Sequence, residues 1–259
     1  MTAPLTAFTP EPVRRRVPGM KPTLIALLAL FLSLPLVAAD KDKLSPKDFK
    51  SLKAFKDKKL PKDFKSLKAL AEKGDVDAQN TLAVYYNFGI GGVGKDAKEA
   101  VKWFRKAAEQ GLDAAQINLG SAYETGEGVP QDMKVAVKWY RKAAEQGDSY
   151  GQYRLGAMYM NGLGVTLNHK EARKWFRKAA EQGYDKAQCA LAVNYAIGKG
   201  VFQNYVTAYA WASIAATNGN NIAPRFKSQF LEPKMTPAQI AEAEELVKEM
   251  IKKNPKLMK

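Results

Sequence analysis

The chain of 259 residues reads as an all-α protein, an α-solenoid of four helix-turn-helix units with a capping helix at each end. Three observations predict this class. Trp103, Trp139, Trp175 and Trp211 recur every 36 residues, as do Gly111, Gly147, Gly183 and Gly219 and the Ala pairs opened by Ala107, Ala143, Ala179 and Ala215. Upstream, Leu82, Leu119, Leu155 and Leu191 keep register after one inserted residue near Gly91 and Gly92, with Tyr86, Tyr123, Tyr159 and Tyr195 behind them. Paired glycines separate the two blocks in every unit: Gly89 and Gly91, Gly126 and Gly128, Gly162 and Gly164, Gly198 and Gly200. A fixed period of this length marks stacked repeats, each too small to bury its own apolar face.

Each unit divides into two helices. In the first, Ala78, Leu82 and Tyr86 at i, i+4 and i+8 form a single stripe. Its later copies are expected to start at Asp113, Ser149 and Asp185, whose short polar side chains can accept from free N–H groups. The glycine pair ends it, since glycine enters the left-handed region without a Cβ clash. The second helix is expected to open at Asp96, Asp132, Asn168 and Asn204, with Glu99 and Glu171 three residues on completing a capping-box pattern in two copies. Its stripe is Ala100, Phe104, Ala107 and Ala108; the small alanines admit close neighbours and Trp103 supplies bulk. Gly111 and its equivalents stop it. Residues 70–74 resemble the end of a second helix and are expected to cover the first unit. Thr236 and Pro237 open a final helix, as N-cap and first helical residue, that runs to about Lys252 and closes the stack.

These residues also carry a family resemblance. The run A-x-x-x-L-G-x-x-Y-x-x-G-x-G-V, followed by W-[YF]-R-K-A-A-E-Q-G, resembles the Sel-one-like repeat, a relative of the tetratricopeptide repeat. Its clearest copy is Ala115 to Gly147, with Leu119, Gly120, Tyr123, Gly126, Gly128, Val129, Trp139, Tyr140, Ala143 and Ala144. The resemblance spans residues 75–219. The fourth copy departs most, with Ala210-Trp211-Ala212-Ser213 in place of the Lys-Trp-Phe-Arg form. What it implies is a scaffold for protein–protein interaction with no cofactor and no reaction. Some secreted relatives with a Cys pair in each repeat are linked to β-lactam binding; this chain has Cys189 alone. A cell-wall or β-lactam-acting enzyme is therefore the rival reading, not the leading one.

Residues 1–39 have the three-part layout of a secretory signal peptide. Arg14, Arg15, Arg16 and Lys21 precede a 14-residue apolar run from Leu24 to Val37, and Val37 and Ala39 stand at −3 and −1 of a cut before Asp40. The run is short for a membrane span, which needs ~20 residues. Met20 opens a compact signal peptide by itself, so translation is expected to start there. The mature protein is expected in the periplasm or outside the cell.

The formal charge is +15, from 41 Lys and Arg against 26 Asp and Glu. The leader holds four of the cations and one acid, leaving +12. Residues 40–74 carry +6, the repeats at 75–219 only +3, and the C-terminal capping helix and tail at 220–259 another +3. The charge therefore belongs mainly to the ends. Within 40–74, Pro46 to Ala54 and Pro61 to Ala69 are an identical nine-residue duplication. The second copy is expected to dock as the N-terminal capping helix. The first reads as a loosely held amphipathic segment, with contact to an anionic membrane surface as the weaker alternative.

Little of this composition suits catalysis. His169 is the lone histidine and follows the cap Asn168, so an exposed first-turn residue is expected; metal binding has no second imidazole to draw on. Cys189 reads as an inert buried thiol. Gly126-Glu127-Gly128 superficially resembles a phosphate loop, yet it recurs in every unit and lies between helices. Nucleic acid is not expected as a partner, because no stacking aromatics are interleaved with the cations.

Two surfaces remain as candidates for a protein partner of a monomeric chain. Two residues before each core Leu stand Asn80, Ile117, Tyr153 and Cys189; two after stand Val84, Ser121, Ala157 and Val193. These positions vary between units, as a partner-specific groove requires, and Tyr153 and Ile117 are its expected anchors. The second candidate is a basic ladder on the second helices: Lys102, Arg105 and Lys106; Lys138, Arg141 and Lys142; Lys174, Arg177 and Lys178. Glu109, Glu145 and Glu181, four residues after each Arg, are placed to offset it. A binder of acidic polysaccharide or anionic lipid is the corresponding alternative.

Overall fold

The computed structural model describes residues 63–258. The leader, the start at Met20 and the first copy of the duplication lie outside the described residues. Among the described residues there are eleven α-helices and no strand. Helix α1 (Phe64–Glu72) precedes four pairs: α2 (Val76–Phe88) with α3 (Ala97–Glu109), α4 (Asp113–Thr125) with α5 (Met133–Glu145), α6 (Ser149–Asn161) with α7 (His169–Ala180), and α8 (Asp185–Ile197) with α9 (Tyr205–Thr217). Each repeat helix packs on its neighbours in sequence, so the first three second helices each touch both first helices that flank them. After the pairs come α10 (Ala223–Phe226), a π-helical turn (Lys227–Leu231), a 3₁₀ turn (Glu232–Lys234), α11 (Pro237–Lys253), which packs on α9, and a last 3₁₀ turn (Pro255–Leu257).

The second helices open as their sequence dictates. Asp96, Asp132, Asn168 and Asn204 are extended N-caps whose side chains accept from Glu99 N, from Lys134 N and Val135 N, from Glu171 N and from Thr207 N. The capping-box expectation needs correction. Glu99 and Glu171 do not reach back to their caps but forward, to Lys102 Nζ at 2.7 Å and Lys174 Nζ at 2.6 Å. The reciprocal box forms instead at Thr236 and Gln239, opening α11.

The later first helices start where expected, but their N-caps fall one residue earlier. Asp113, Ser149 and Asp185 are first helical residues, and the caps are Leu112, Asp148 and Tyr184. The reason lies in the preceding turn. Gly111 N donates to Ala108 O and Leu112 N to Ala107 O, the paired closure of a Schellman motif. Leu112 thus ends one helix and caps the next, and the same pattern runs through Gly147–Asp148 and Gly183–Tyr184. Only Asp148 adds a side-chain cap, to Gly151 N.

Gly89, Gly126, Gly162 and Gly198 end the first helices in the left-handed region, at φ of 67°, 77°, 67° and 71°. The second glycine of each later pair serves the stack. A Cβ on Gly128 would collide with the Ala97 carbonyl of the preceding unit, on Gly164 with Met133, and on Gly200 with His169. Each glycine loop therefore lies directly on the first turn of the previous second helix. His169, expected to be exposed, is half-buried for this reason.

Three core clusters lie among the described residues, the smallest holding Cys189, Ala215 and Ala223. The first joins Leu67 and Ala71 of α1 to Leu82, Trp103, Phe104 and Leu119; the second holds Tyr140, Leu155 and Met158. Helix α1 is the second copy of the duplication with its continuation. Asp63 caps it through Ser66 N, and Leu67 and Ala71 are buried. At the position matching Ala71 the first copy has Lys56, which that buried site has no room for.

Candidate partner-binding surface

Most of the expected groove is not surface. Asn80, Val84, Ile117, Ala157, Cys189 and Val193 are buried, and only Ser121 and Tyr153 keep partial exposure. Ile117, at 2% exposed, clusters with Tyr140 of its own unit and with Leu155 and Met158 of the next, so its side chain is not an anchor. Two positions along a helix turn the side chain by ~200°, yet the adjoining unit covers that flank as well. Tyr153 lies in an aromatic group, its ring 5.3 Å from Tyr184 and 5.8 Å from Phe176. Burial pushes its hydroxyl up to about 12.

The basic ladder is chiefly a packing device. Arg105, Arg141 and Arg177 each donate Nη2 to the hydroxyl of the next unit's tyrosine, Tyr123, Tyr159 and Tyr195, at 2.6, 2.8 and 2.7 Å. Lys106, Lys142 and Lys178 lie over Trp103, Trp139 and Trp175, with Nζ at 4.0, 4.4 and 4.3 Å from the ring centroid. Lys102 and Lys174 are held by Glu99 and Glu171. Of the three offsetting acids, Glu181 alone comes within ion-pair distance of its Arg, at 4.0 Å from Arg177 among the described residues. Lys138 stands apart. Val135 occupies the place of Glu99 and Glu171, and Lys138 has no ionic partner among the described residues.

A second ladder was missed in the sequence, although its period is visible there. Gln79, Gln116, Gln152 and Gln188, buried in the first helices, donate Nε2 to the carbonyls of Ala71, Ala108, Ala144 and Ala180 at the end of the preceding helix. Their Oε1 atoms accept from Gln110, Gln146, Gln182 and Asn218. The carbonyls already accept from Gly74 N, Gly111 N, Gly147 N and Gly183 N, and this polar seam adds a second bond at each. It closes on the chain itself, because Leu257 O accepts from both Gln188 Nε2 at 2.8 Å and Asn218 Nδ2 at 2.6 Å.

One buried ionic group also escaped the sequence reading. Arg154 of α6 pairs with Glu124 of α4, and Tyr140 donates to the same carboxylate at 2.7 Å. Arg154 Nη1 donates to Tyr150 at 2.9 Å. Burial opposes the guanidinium charge, but Tyr140, Tyr150 and Glu124 outweigh it and raise the group above its ordinary value. Neither Glu124 nor Arg154 recurs with the repeat, so only its departure from the period could have flagged the pair.

The single cysteine and histidine are both perturbed by their surroundings. Burial pushes the Cys189 thiol up to about 12. Burial first, and the Lys199 charge second, hold His169 below its usual range. Among the described residues no group of three His, Cys, Asp or Glu side chains is placed to hold a metal ion, and no helix is long and apolar enough to cross a membrane.

Comparison with known proteins agrees with this geometry. The Sel1 repeat family matches at residues 76–112, 113–148, 149–184 and 185–220. An SLR-fold protein from uropathogenic Escherichia coli, described as a protective antigen, superposes with a TM-score of 0.68 at 39% identity, covering 74% of this chain and 41% of its own. A Sel1 repeat protein from Oxalobacter formigenes superposes at 0.61 and 32% identity, covering 76% of this chain and 84% of its own. A 58-residue stretch is 34% identical to the Arabidopsis thaliana HRD3A component of an ERAD-associated E3 ubiquitin-protein ligase. That stretch is 9% of the HRD3A length, and this chain spans less than half of the E. coli antigen. Sel1 repeat proteins generally mediate protein–protein interaction, and the family is generally non-catalytic. With four matched units in register with the four helix pairs, the chain belongs to the Sel1 repeat family.

Proposed function

We propose that this chain is an exported, monomeric, non-catalytic scaffold that holds a protein partner on its helical surface, in the periplasm or outside the cell. One observation carries the reading. Many side chains that recur with the period are absorbed by caps, packing and the two ladders, as in a stack built to present its helical surface. A stack of that kind recognises shape and charge. The Arg-rich, apolar and small-residue segments of 1–39 support export. The HRD3A relative, named as a ligase component, is consistent with work inside an assembly.

The test is expression with the native leader in a Gram-negative host, followed by peptide mapping and affinity capture at two salt concentrations. The mature chain is expected to begin at Asp40 and to retain a protein partner at both. A peptide containing Phe8 in the exported protein, or capture that yields no protein, overturns the reading. Capture that collapses with salt and is replaced by vesicles of anionic lipid favours the second reading, which rests on the +6 charge of residues 40–74.

A further inference from the structure

One helix edge of the second unit borders an open depression. Lys134, Val137, Lys138, Arg141 and Lys142 of α5 face Gly164 and Val165 of the following glycine loop across an open depression of about 530 Å³. Glu145 stands at its far end. From Lys134 to Glu145 the rise of a helix gives a trough ~16 Å long, the span of about five extended residues.

The lining residues recur one repeat earlier, from Lys98 to Glu109 with Gly128 and Val129, and three differences in the flanking copies set this trough apart. In the first and third units Glu99 and Glu171 hold Lys102 and Lys174, but in the second Val135 frees Lys138. In the third unit the residue matching Val137 is Arg173, whose Nε donates to Gly200 O at 3.1 Å and bridges the gap between helix and loop. In the second unit's glycine loop, which seats on the first unit, the residue before Gly128 is Glu127, paired with Lys95 at 2.8 Å; its counterpart beside the trough is Leu163. The second unit therefore presents an apolar floor of Val137 and Val165 below two cations, Lys134 and Lys138, that have no ionic partner among the described residues. Arg141 and Lys142 are already engaged with Tyr159 and Trp139 and add positive field to the rim.

We propose that this trough docks a short acidic peptide segment of a protein partner. The peptide lies extended along α5, with an aliphatic side chain over Val137 and Val165 and carboxylates toward Lys134 and Lys138. Charge complementarity selects the acid, and the narrow valine floor selects a peptide over a lipid surface or a phosphate backbone. The inference rests on the scaffold reading and specifies its surface.

The experiment is fluorescence anisotropy of the full mature chain with fluorescein-labelled Asp-Glu-Leu-Glu-Asp. The test variant is Lys134→Glu/Lys138→Glu. The control is Lys170→Glu/Lys174→Glu, which changes the same repeat positions in the third unit and the net charge by the same amount. The test variant is expected to weaken binding at least about ten-fold and the control less than about two-fold, since screened long-range charge acts alike on both. Replacing the peptide's Leu by Ser is expected to weaken binding at constant charge. Equal losses in the two variants, indifference to the Leu, or preference for polyphosphate or anionic vesicles each overturns the site, as does the absence of saturable peptide binding. Affinity capture with Lys134→Glu/Lys138→Glu separates the two levels. Undiminished capture of the partner removes the trough and leaves the scaffold standing, whereas a wild-type chain that captures no protein removes the scaffold.

Discussion

Replacing Gly128 by Ala tests how tightly the units are coupled. Gly128 has φ of +77°, and a Cβ there would strike the Ala97 backbone in the preceding unit. Gly147 is the matched control, with φ of +92° and nothing within 4 Å of an added Cβ. Both substitutions carry the left-handed strain of an L side chain, about 1–2 kcal/mol. Gly128→Ala alone adds a steric clash against main chain, which cannot rotate away, and overpacking of this kind costs about 1–3 kcal/mol. The expected losses are therefore about 1–2 kcal/mol for Gly147→Ala and about 2–5 kcal/mol for Gly128→Ala. Urea unfolding followed by circular dichroism at 222 nm measures both. In a one-dimensional stack the loss falls on one junction, so the Gly128 variant is also expected to broaden or split its transition. Equal midpoints and slopes for the two variants would refute the claim that glycine loops seat on the previous unit.

Three further outcomes follow from the buried polar groups. Gln152→Leu removes two buried hydrogen bonds, to Ala144 O and from Gln182 Nε2, each worth about 0.5–1.5 kcal/mol, and is expected to lose about 1–3 kcal/mol in the same urea assay. Arg154→Met strands Glu124 and is expected to lose about 3–5 kcal/mol, whereas Glu124→Leu/Arg154→Met recovers much of that loss; a double variant as unstable as the single contradicts the pairing. Cys189 is expected to resist Ellman's reagent at pH 8 until urea unfolds the chain. The folded Cys189 thiol and Tyr153 hydroxyl, each at about 12, lie above their unfolded values of 9.0 and 10.0, so folding favours their protonated forms. Their contribution is complete below pH 9 and is lost as pH rises toward 12, at up to about 1.4 kcal/mol per pH unit for each group. Urea midpoints that stay flat from pH 8 to 11 contradict their burial.

The architecture was legible because it depends on period alone. Thr236 with Pro237, the second-helix caps and the glycine pairs are local devices, and local devices can be read one residue at a time. What failed was the choice between two local solutions of similar energy. Asp113 caps a helix as readily as it stands at its first position, and the Schellman closure through Gly111 and Leu112 decides the matter. Glu99 can reach back to its cap or forward to Lys102, and it goes forward.

The groove failed for a different reason. Spacing around Leu119 places Ile117 on the opposite side of its own helix, but whether that side meets water depends on the next unit, which one helix cannot report. The same limit hid the glutamine seam, whose partners lie 30 or 31 residues apart in each unit. Recurrence in a stacked array therefore measures what stacking requires. Arg105, Lys106 and Gln110 recur because tyrosine, tryptophan and glutamine partners recur beside them. A partner specific to this chain has to be read from the places where recurrence breaks on the outside. Val135 in place of Glu and Leu163 where the second loop has Glu127 are two such breaks, and both stand next in sequence to residues that line the trough, Lys134 and Gly164.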